Sequence, residues 1–256
     1  MRKKENSILG TAKESFARIL ESEQMGDIEV SVRVIPLTPE EAIGDPNRRD
    51  FPIIVGKERV IEAEIRQSKG QAFTDFPRPY RGTLRDVMDL ELRTNEERAV
   101  FIASLNATLG HLGLIQGTVH CKDEDPEQCA LDIAETVEKR FAANSVGLIG
   151  LNPAIAERLI DRFGASNVRL TDLSRDNVGR ERWGVEVWDG ATRMKDLVKD
   201  VDVVLFTGTT LVNDTFDDIW GEIQSQGKAY LVYGITAAGV CFLLDFERIC
   251  PCGRDG

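Results

Sequence analysis

The chain has 256 residues, 42% of them hydrophobic and 29% charged, which is enough for one large domain or two modest ones with an apolar core. Its 32 Lys and Arg residues against 43 Asp and Glu residues give a formal charge of −11, and this acidity argues against nucleic acid or an anionic membrane as a partner. The apolar runs are far shorter than the ~20 residues of a membrane span, and no apolar export segment follows the basic start, so we expect a cytoplasmic protein with reduced cysteines.

The N-terminal part predicts a mixed α+β unit. Glu14–Glu23 is the end of an amphipathic helix, and Asp27–Leu37 and Glu58–Arg66 alternate apolar and polar residues as half-buried strands do. Gln71–Thr74 is a candidate hairpin partner of the second strand. Two segments with proline and glycine are predicted to be loops: Thr38–Asn47 and Phe76–Gly82.

The clearest helix signal covers Asn95–Leu112. Thr94 and Glu97 form the Thr-x-x-Glu pattern of a capping box. Apolar residues return at helical spacing, so one face is predicted to be buried, and Asn106 lies in the middle of that face. An unpaired buried amide costs about 1–3 kcal/mol. Two interpretations therefore stay open: Asn106 pins the backbone of a loop, or it faces a ligand in a cleft.

From Pro126 onward, strands alternate with helices, which is typical of βαβ units and a parallel, Rossmann-like sheet. The predicted strands are Val146–Leu151, Val168–Leu173, Val185–Trp188, Val201–Phe206 and Ala229–Tyr233. The predicted helices are Pro126–Ala142, Pro153–Phe163, Thr192–Val198, Asn213–Gln226 and Ala238–Phe246. We place the boundary between Ile115 and Ala143, and divide the chain into an α+β domain, residues 1–120, and a Rossmann-like domain, residues 121–256.

Parallel sheets bind ligands beyond the carboxyl ends of their strands, near helix N-termini. The first such end contains Gly147 and Gly150 but lacks the full G-x-G-x-x-G pattern, so the sequence does not predict NAD. Asp172 ends the next strand, where a dinucleotide-binding protein would hold the ribose. We therefore take Gly150, Asn152 and Asp172 as candidate ligand contacts without a dinucleotide.

The strongest local signal is the segment Thr207–Asn213, in which small polar residues lie between a buried strand and a helix that Asn213 could cap. Hydroxyls and free amides at a helix N-terminus suit an anionic or carbonyl group of a ligand. The alternative is a turn whose polar groups satisfy one another. The candidate ligand-binding residues here, with one from the next strand end, are Thr207, Gly208, Thr209, Thr210, Asn213 and Thr236.

Cysteine and histidine form two small groups along the chain. The candidate metal ligands are His120, Cys121, Cys129, Cys250 and Cys252. Thiolate and imidazole groups suit Zn, Cu(I) or iron–sulfur iron, although the spacing is not that of the CxxC pairs in a zinc ribbon. The alternative is that these cysteines are buried small hydrophobes and part of a tail. Cys241 lies in an apolar helix and is interpreted as a core residue.

The sequence resembles an uncharacterised prokaryotic family, the heavy-metal chelation domain, together with the companion domain that precedes it. The resemblance is carried by Thr94–Ala99, Ala103–Ala107, Gly147–Pro153 and above all Val203–Thr215 (VVLFTGTTLVNDT), with Gly56–Glu58 and Gly70–Thr74 in the companion part. It covers nearly the whole chain and implies an enolase N-terminal-like α+β domain, a Rossmann-like domain and a site between them. Asn106 and Thr207–Asn213 match the family's motifs, whereas the His and Cys groups match no general feature of the family and leave open a thiolate metal site specific to a subgroup of it.

Three functions remain open. In the first, the cleft between the domains holds a small ligand or a heavy metal, with Cys and His as soft ligands for Zn, Fe or another soft metal. In the second, the protein is an enzyme that acts on a small anionic metabolite held by Thr207–Asn213, with Glu97 or Asp172 as base. In the third, it is a non-catalytic accessory to metal transport or cofactor assembly. We expect a small molecule or metal ion as partner, with a homodimer as one option for assembly.

Overall fold

The computed structural model describes residues 7–25, 31–56 and 58–256. The N-terminal strands are β1 (Ser31–Leu37), β2 (Arg59–Ile65), β3 (Ser68–Thr74) and β4 (Tyr80–Thr83). The N-terminal helices are α1 (Ile8–Ser22), α2 (Pro39–Ile43), α3 (Leu84–Asp89) and α4 (Asn95–His111). The strands form an antiparallel sheet in the order β3-β2-β1-β4, and the predicted hairpin pairing of Gln71–Thr74 is confirmed, since Arg59 faces Thr74. The predicted strand residues Asp27–Val30 lie outside the described residues.

Helix α4 packs directly on β2 and β3. Its predicted capping box between Thr94 and Glu97 is confirmed. The expectation of a single buried face is wrong, because every residue from Arg98 to Leu109 is buried and the helix is enclosed on all sides. The approach of β3 is close: a Cβ atom added at Gly70 would lie 2.2 Å from the backbone nitrogen of Ala107.

The C-terminal part is built on a second sheet. Its strands are β5 (Val146–Ile149), β6 (Val168–Asp172), β7 (Glu181–Arg182), β8 (Val185–Asp189), β9 (Val203–Thr207), β10 (Ala229–Tyr233) and β11 (Arg248–Ile249). Its helices are α5 (Asp125–Phe141), α6 (Pro153–Phe163), α7 (Gly190–Asp200), α8 (Thr209–Val212), α9 (Phe216–Gln226) and α10 (Ala238–Leu244). The order is β11-β10-β9-β5-β6-β8-β7, parallel throughout except that β7 pairs with β8 in the antiparallel sense. The predicted α/β class with a parallel sheet is confirmed.

Both predicted loops contain regular structure. Helix α2 lies within Thr38–Asn47, where Thr38 and Glu41 form a capping box and Pro39 occupies the first turn, a position at which the missing N–H costs nothing. Strand β4 begins inside Phe76–Gly82 and pairs with β1. In both cases proline lies at the edge of a helix or a strand. Composition alone does not distinguish such an edge from a loop.

The helix predicted over Asn213–Gln226 is present as α9 but begins three residues later, at Phe216, and a short helix that was not predicted precedes it. The chain forms the short helix α8, then turns at Asp214, whose φ of 61° lies in the left-handed region, and restarts as α9. The N-cap of α9 is Thr215, so Asn213 does not cap it. The polar segment after β9 is therefore partly helical and folds back on itself.

Two apolar cores are each shared between the N-terminal and C-terminal parts. One contains Phe16 and Phe101 with Phe206 and Phe216. The other contains Phe51 and Val60 of the N-terminal part with strand residues of the second sheet. The division at residue 120 stays a prediction, but the packing is continuous across it. Among the helices in the described ranges, none has the length and apolar character needed to cross a bilayer.

Candidate functional site

A cavity of about 770 Å³ opens beyond the carboxyl ends of five parallel strands. The segments that follow β5, β6, β8, β9 and β10 form one wall, as expected for ends that meet at the same edge of a parallel sheet. Residues of the N-terminal part form the facing wall, among them Phe51, Glu58, Phe73 and His120. We call this space the cleft cavity, and its size is that of a site for a cofactor-sized molecule.

The cleft cavity contains most of the expected ligand-binding residues. Those that line it are Gly150, Asn152, Asp172, Thr207, Thr209, Thr210, Asn213 and Thr236, and the expected metal ligand His120. Asn106 and Gly208 are not part of its lining, and neither are the four cysteines Cys121, Cys129, Cys250 and Cys252. The structure thus brings the strand-end residues together and leaves the cysteines elsewhere.

The charged groups of the cavity wall are acidic. Glu58, Asp75, Asp172 and Asp218 line it, and none of the described lining residues is Lys or Arg. Burial, and then the charges of Asp172 and Asp75, raise the pKa of Glu58 to about 7, while His120 opposes the shift. Burial lowers the pKa of His120, so its imidazole is neutral near pH 7. The charged residues of the described lining therefore contribute negative charge to the cavity.

Asp172 and Tyr233 build the floor of the cavity from backbone contacts. The Asp172 carboxylate accepts hydrogen bonds from the backbone N–H of Leu151 at 2.7 Å and of Ser174 at 2.6 Å. The Tyr233 hydroxyl donates to the carbonyl of Gly150 at 2.7 Å. Burial raises the pKa of Tyr233, so the phenol keeps its proton. Asp172 thus uses both oxygens to hold two strand-end turns beside the cavity.

The threonine segment satisfies many of its own polar groups. The Thr210 hydroxyl donates to the carbonyl of Thr207 at 2.6 Å, and the hydroxyls of Thr207 and Thr209 lie 3.2 Å apart. The amide of Asn213 donates to the carbonyl of Thr209. Of the two interpretations, the geometry favours a turn that is satisfied internally. By contrast, the fully buried hydroxyl of Thr171, also in the lining, has no hydrogen-bond partner among the described residues.

Asn106 lies behind the cavity and joins three backbone segments. Its amide nitrogen donates to the carbonyls of Gln71 at 3.0 Å and Ile235 at 3.2 Å, and its oxygen accepts from the N–H of Gly239 at 2.8 Å. The side chain is fully buried. The interpretation that Asn106 pins loop backbone is therefore the one supported by the geometry, and it ties α4 to the segment after β10.

The four cysteines that do not line the cavity form a group of their own, which we call the thiol cluster (Cys121, Cys129, Cys250 and Cys252). The Cys129 side chain is hydrogen-bonded to those of Cys121 and Cys250, and the Cys252 thiol is hydrogen-bonded to Cys129. Within the described ranges, no three His, Cys, Asp or Glu side chains are already arranged as ligands of one metal ion. Cys241 is buried in the core, as expected.

Sequence reasoning missed Glu58, Asp75, Thr171 and Tyr233. The pairing of Arg59 with Thr74 explains the first two, because Glu58 and Asp75 are the residues next to this last pair of the hairpin and interact with each other. The available signal was that Glu58 and Asp75 lie at strand ends, but an isolated acid at a strand end does not form a recognisable sequence motif. Only the packing of the hairpin against the second sheet turns them toward a shared space.

Comparison with known families matches one model to residues 132–246, a family described as "Putative heavy-metal chelation" (DUF364). The matched span runs from α5 to the end of α10 and includes the wall segments after β5, β6, β8, β9 and β10. It does not include His120 or any member of the thiol cluster. The enolase N-terminal-like domain that the resemblance implies for the N-terminal part remains a prediction. No curated protein matches the chain.

Two solved structures of proteins of unknown function from the same family are similar in fold. One, from Pyrococcus horikoshii, is 13% identical, with a TM-score of 0.55 over 90% of this chain and 80% of that chain. The other, from Desulfitobacterium hafniense DCB-2, is also 13% identical, with a TM-score of 0.50 over 73% of this chain and 72% of that chain. At this identity the likeness concerns the fold alone.

Proposed function

We propose that the protein binds a small organic molecule of net positive charge in the cleft cavity, namely a metal ion held by an organic chelator. The observation that carries the proposal is the combination of cofactor-like size and negative charge. The cavity measures about 770 Å³, and its described charged residues are carboxylates with a neutral histidine. The family description, heavy-metal chelation, agrees with such a cargo.

The electrostatics favour a cation over the alternatives. Glu58, Asp75 and Asp172 interact closely enough for the negative charges to raise the pKa of Glu58, so each further carboxylate ionised there costs free energy. A bound cation removes that cost, because it interacts favourably with every carboxylate at once. An anionic metabolite would add to the repulsion, so the enzyme hypothesis built on an anion at Thr207–Asn213 receives less support.

The size of the cavity argues against a bare ion. Metal ions bind protein oxygen and nitrogen atoms at roughly 2.0–2.6 Å, which requires several ligands around one point. The described residues do not provide such a group, and the lining carboxylates are divided between the hairpin (Glu58 and Asp75) and the C-terminal part (Asp172 and Asp218). A metal that arrives with its own organic ligands needs only outer contacts. The apolar part of the wall, including Phe51, Ile53 and Phe73, would cover such ligands, and the unpaired hydroxyl of Thr171 would complete a hydrogen bond.

Two inert metal complexes of opposite charge test the proposal. Hexaamminecobalt(III) and hexacyanocobaltate(III) have the same metal and octahedral shape, but one is a cation and the other an anion. We expect isothermal titration calorimetry to detect binding of the cation only. We expect the double variant Glu58→Gln/Asp75→Asn to weaken it by about tenfold, the equivalent of ~1.4 kcal/mol.

The control is Glu21→Gln, a carboxylate on α1 that is exposed and not part of the cavity lining. This variant loses only one exposed carboxylate and keeps the general attraction of an acidic chain for cations. It should therefore bind hexaamminecobalt(III) with the affinity of the wild type. Equal binding by the double variant and the wild type, or binding of the anionic complex instead, would overturn the proposal. If the proposal holds, native mass spectrometry of the protein purified at low salt should identify the molecule bound in the cavity.

A further inference from the structure

The C-terminal tail returns to the segment between α4 and α5. Val119 and Arg254 form an antiparallel bridge with reciprocal backbone hydrogen bonds of 2.9 and 2.8 Å. Cys121 lies two residues after Val119, and Cys252 lies two residues before Arg254, so the antiparallel direction brings these thiols to the same level. A turn closed by the N–H of Gly253 and the carbonyl of Cys250 adds another thiol beside them.

Cys129, on the first turns of α5, is the point where these segments meet. Its side chain is hydrogen-bonded to Cys121 and Cys250, and it also receives the backbone N–H of Cys252. Cys121 is 4% exposed and Cys129 9% exposed, whereas the two tail cysteines are partly exposed. Four thiols from three separate segments are thus in contact, with two of them shielded from water.

We propose that the thiol cluster binds one soft divalent metal ion, such as Zn²⁺, through the four sulfur atoms of Cys121, Cys129, Cys250 and Cys252. On binding, each thiol loses its proton to solvent and each sulfur forms one bond to the metal, so four S–H bonds are replaced by four metal–sulfur bonds without oxidation or reduction. Four thiolates in tetrahedral arrangement are the donor set of structural zinc sites.

The surroundings supply what such a site requires. A divalent ion with four thiolates carries a net charge of −2, and two arginines lie close enough to interact with the thiols: Arg248 with Cys250, and Arg254 with Cys121. The amide of Cys252 donates to sulfur, as backbone groups around metal thiolates commonly do. Both guanidinium groups are also held in place by other partners, since Arg248 donates to the carbonyls of Gly117 and Gln116 and Arg254 pairs with Asp125.

The sulfur atoms are arranged around Cys129 and not yet around a common centre, in agreement with the finding that no three side chains are spaced as metal ligands in the described part of the chain. This differs from the cleft cavity, where the carboxylates are divided between the hairpin and the C-terminal part. At the thiol cluster the side chains are already neighbours of Cys129, and the proposal requires their sulfur atoms to turn toward one centre. Metal–sulfur bonds of about 2.3 Å would then replace the present hydrogen bonds.

This inference goes beyond the proposed function, because the thiol cluster is not part of the cavity lining and falls outside the span that matches the family model. The two sites are neighbours all the same. The Nδ1–H group of His120, which lines the cavity, donates a hydrogen bond to the carbonyl of Cys121. An ion at the thiol cluster would fix the tail and the segment that carries this histidine.

Cobalt and zinc titration of the full chain tests the inference. The protein is purified without an affinity metal, reduced, freed of metal and titrated without oxygen. We expect about one Co²⁺ per chain, with the visible absorption of tetrahedral cobalt thiolate, and displacement by Zn²⁺. Cys252→Ser, at the partly exposed tail, should weaken zinc binding by about 100-fold or more, because the loss of even an outer partner of a metal ligand costs roughly 10–100-fold.

Cys241→Ala is the matched control, since Cys241 is a cysteine in the core away from the cluster and should leave zinc binding unchanged. Glu58→Gln should also keep its zinc, which separates this test from that of the cleft cavity. Equal zinc affinity in Cys252→Ser and the wild type would overturn the inference. A folded, reduced wild-type chain that takes up no metal would also overturn it. So would a chain that forms a disulfide on mild oxidation, seen as a mass loss of two hydrogens, equally well with and without zinc.

Discussion

Glu58 is the residue on which the chemistry of the cleft cavity depends most directly. It is partly buried, and its carboxyl group interacts with Asp172, Asp75 and His120. Burial and the two acids raise its pKa to about 7, from about 4.3 in an unfolded chain. At neutral pH a small change in its surroundings, such as the arrival of a cation, therefore changes its charge.

Glu58 should make the protein less stable as pH rises. Between about pH 4.3 and pH 7 the folded chain holds a proton that the unfolded chain has lost, so the free energy of unfolding falls across this window. The total loss is on the order of 4 kcal/mol, since each unit of pKa difference corresponds to about 1.4 kcal/mol. Glu58→Gln should therefore be more stable than the wild type near pH 8 and similar to it near pH 4.

Denaturant unfolding of both chains across this pH range measures the difference, with Glu21→Gln as the control for loss of one exposed carboxylate. If the free energy of unfolding changed with pH in the same way in the wild type and in Glu58→Gln, the expected effect of Glu58 would be contradicted. A carboxylate that costs stability where it is ionised is typical of a site kept for binding, because function is often retained at the expense of stability.

At the scale of elements, the contact between β3 and α4 depends on the absence of one side chain. Gly70 lies against the helix backbone, and an added Cβ atom would be 2.2 Å from the nitrogen of Ala107 and 2.5 Å from the carbonyl oxygen of Ala103. Backbone atoms on both sides leave no flexible group that could move aside. This contact also sets the position of Asn106, whose amide bonds the carbonyl of Gln71 on β3.

Two glycine-to-alanine changes should shift stability in opposite directions. Gly70→Ala should destabilise the fold by about 3 kcal/mol or more, because overpacking here displaces backbone. Gly221→Ala, in the exposed middle of α9 where nothing lies within 4 Å of the new atom, should stabilise by about 0.5–1 kcal/mol. Chemical denaturation of the two variants measures both, and a Gly70→Ala protein as stable as the wild type would show that β3 and α4 are not so closely packed.

At the scale of the whole molecule, the shared cores should make the chain unfold as one unit. Phe16 and Phe101 pack in the same core as Phe206 and Phe216, although these pairs come from different parts of the chain. Separating the parts would expose both faces of each core. We expect a single thermal transition whose calorimetric and van't Hoff enthalpies agree, and fragments 1–120 and 121–256 that do not fold alone. Two resolved transitions, or a folded fragment 121–256, would contradict this.

Much of the local structure follows from the sequence alone. The capping box at Thr94, the alternating pattern of Glu58–Arg66 and the strand–helix alternation after Pro126 are local signals, and they predicted α4, β2 and the parallel sheet. The strand ends near Gly150, Asp172 and Thr207 were also predictable as neighbours, because the carboxyl ends of parallel strands meet at one edge. These predictions depend on contacts between residues close in sequence, or on a general rule of topology.

The tertiary structure decided the rest. Glu58 belongs with Asp172 only because a hairpin packs against the second sheet, and Cys121 belongs with Cys252 only because the tail pairs with Val119. Asn106, which the sequence left between two interpretations, became a backbone anchor once its partners from three segments were in place. The physical reason is the same in each case: charge, hydrogen bonding and metal ligation depend on distances of a few ångströms between residues far apart in the chain, and local patterns do not contain those distances.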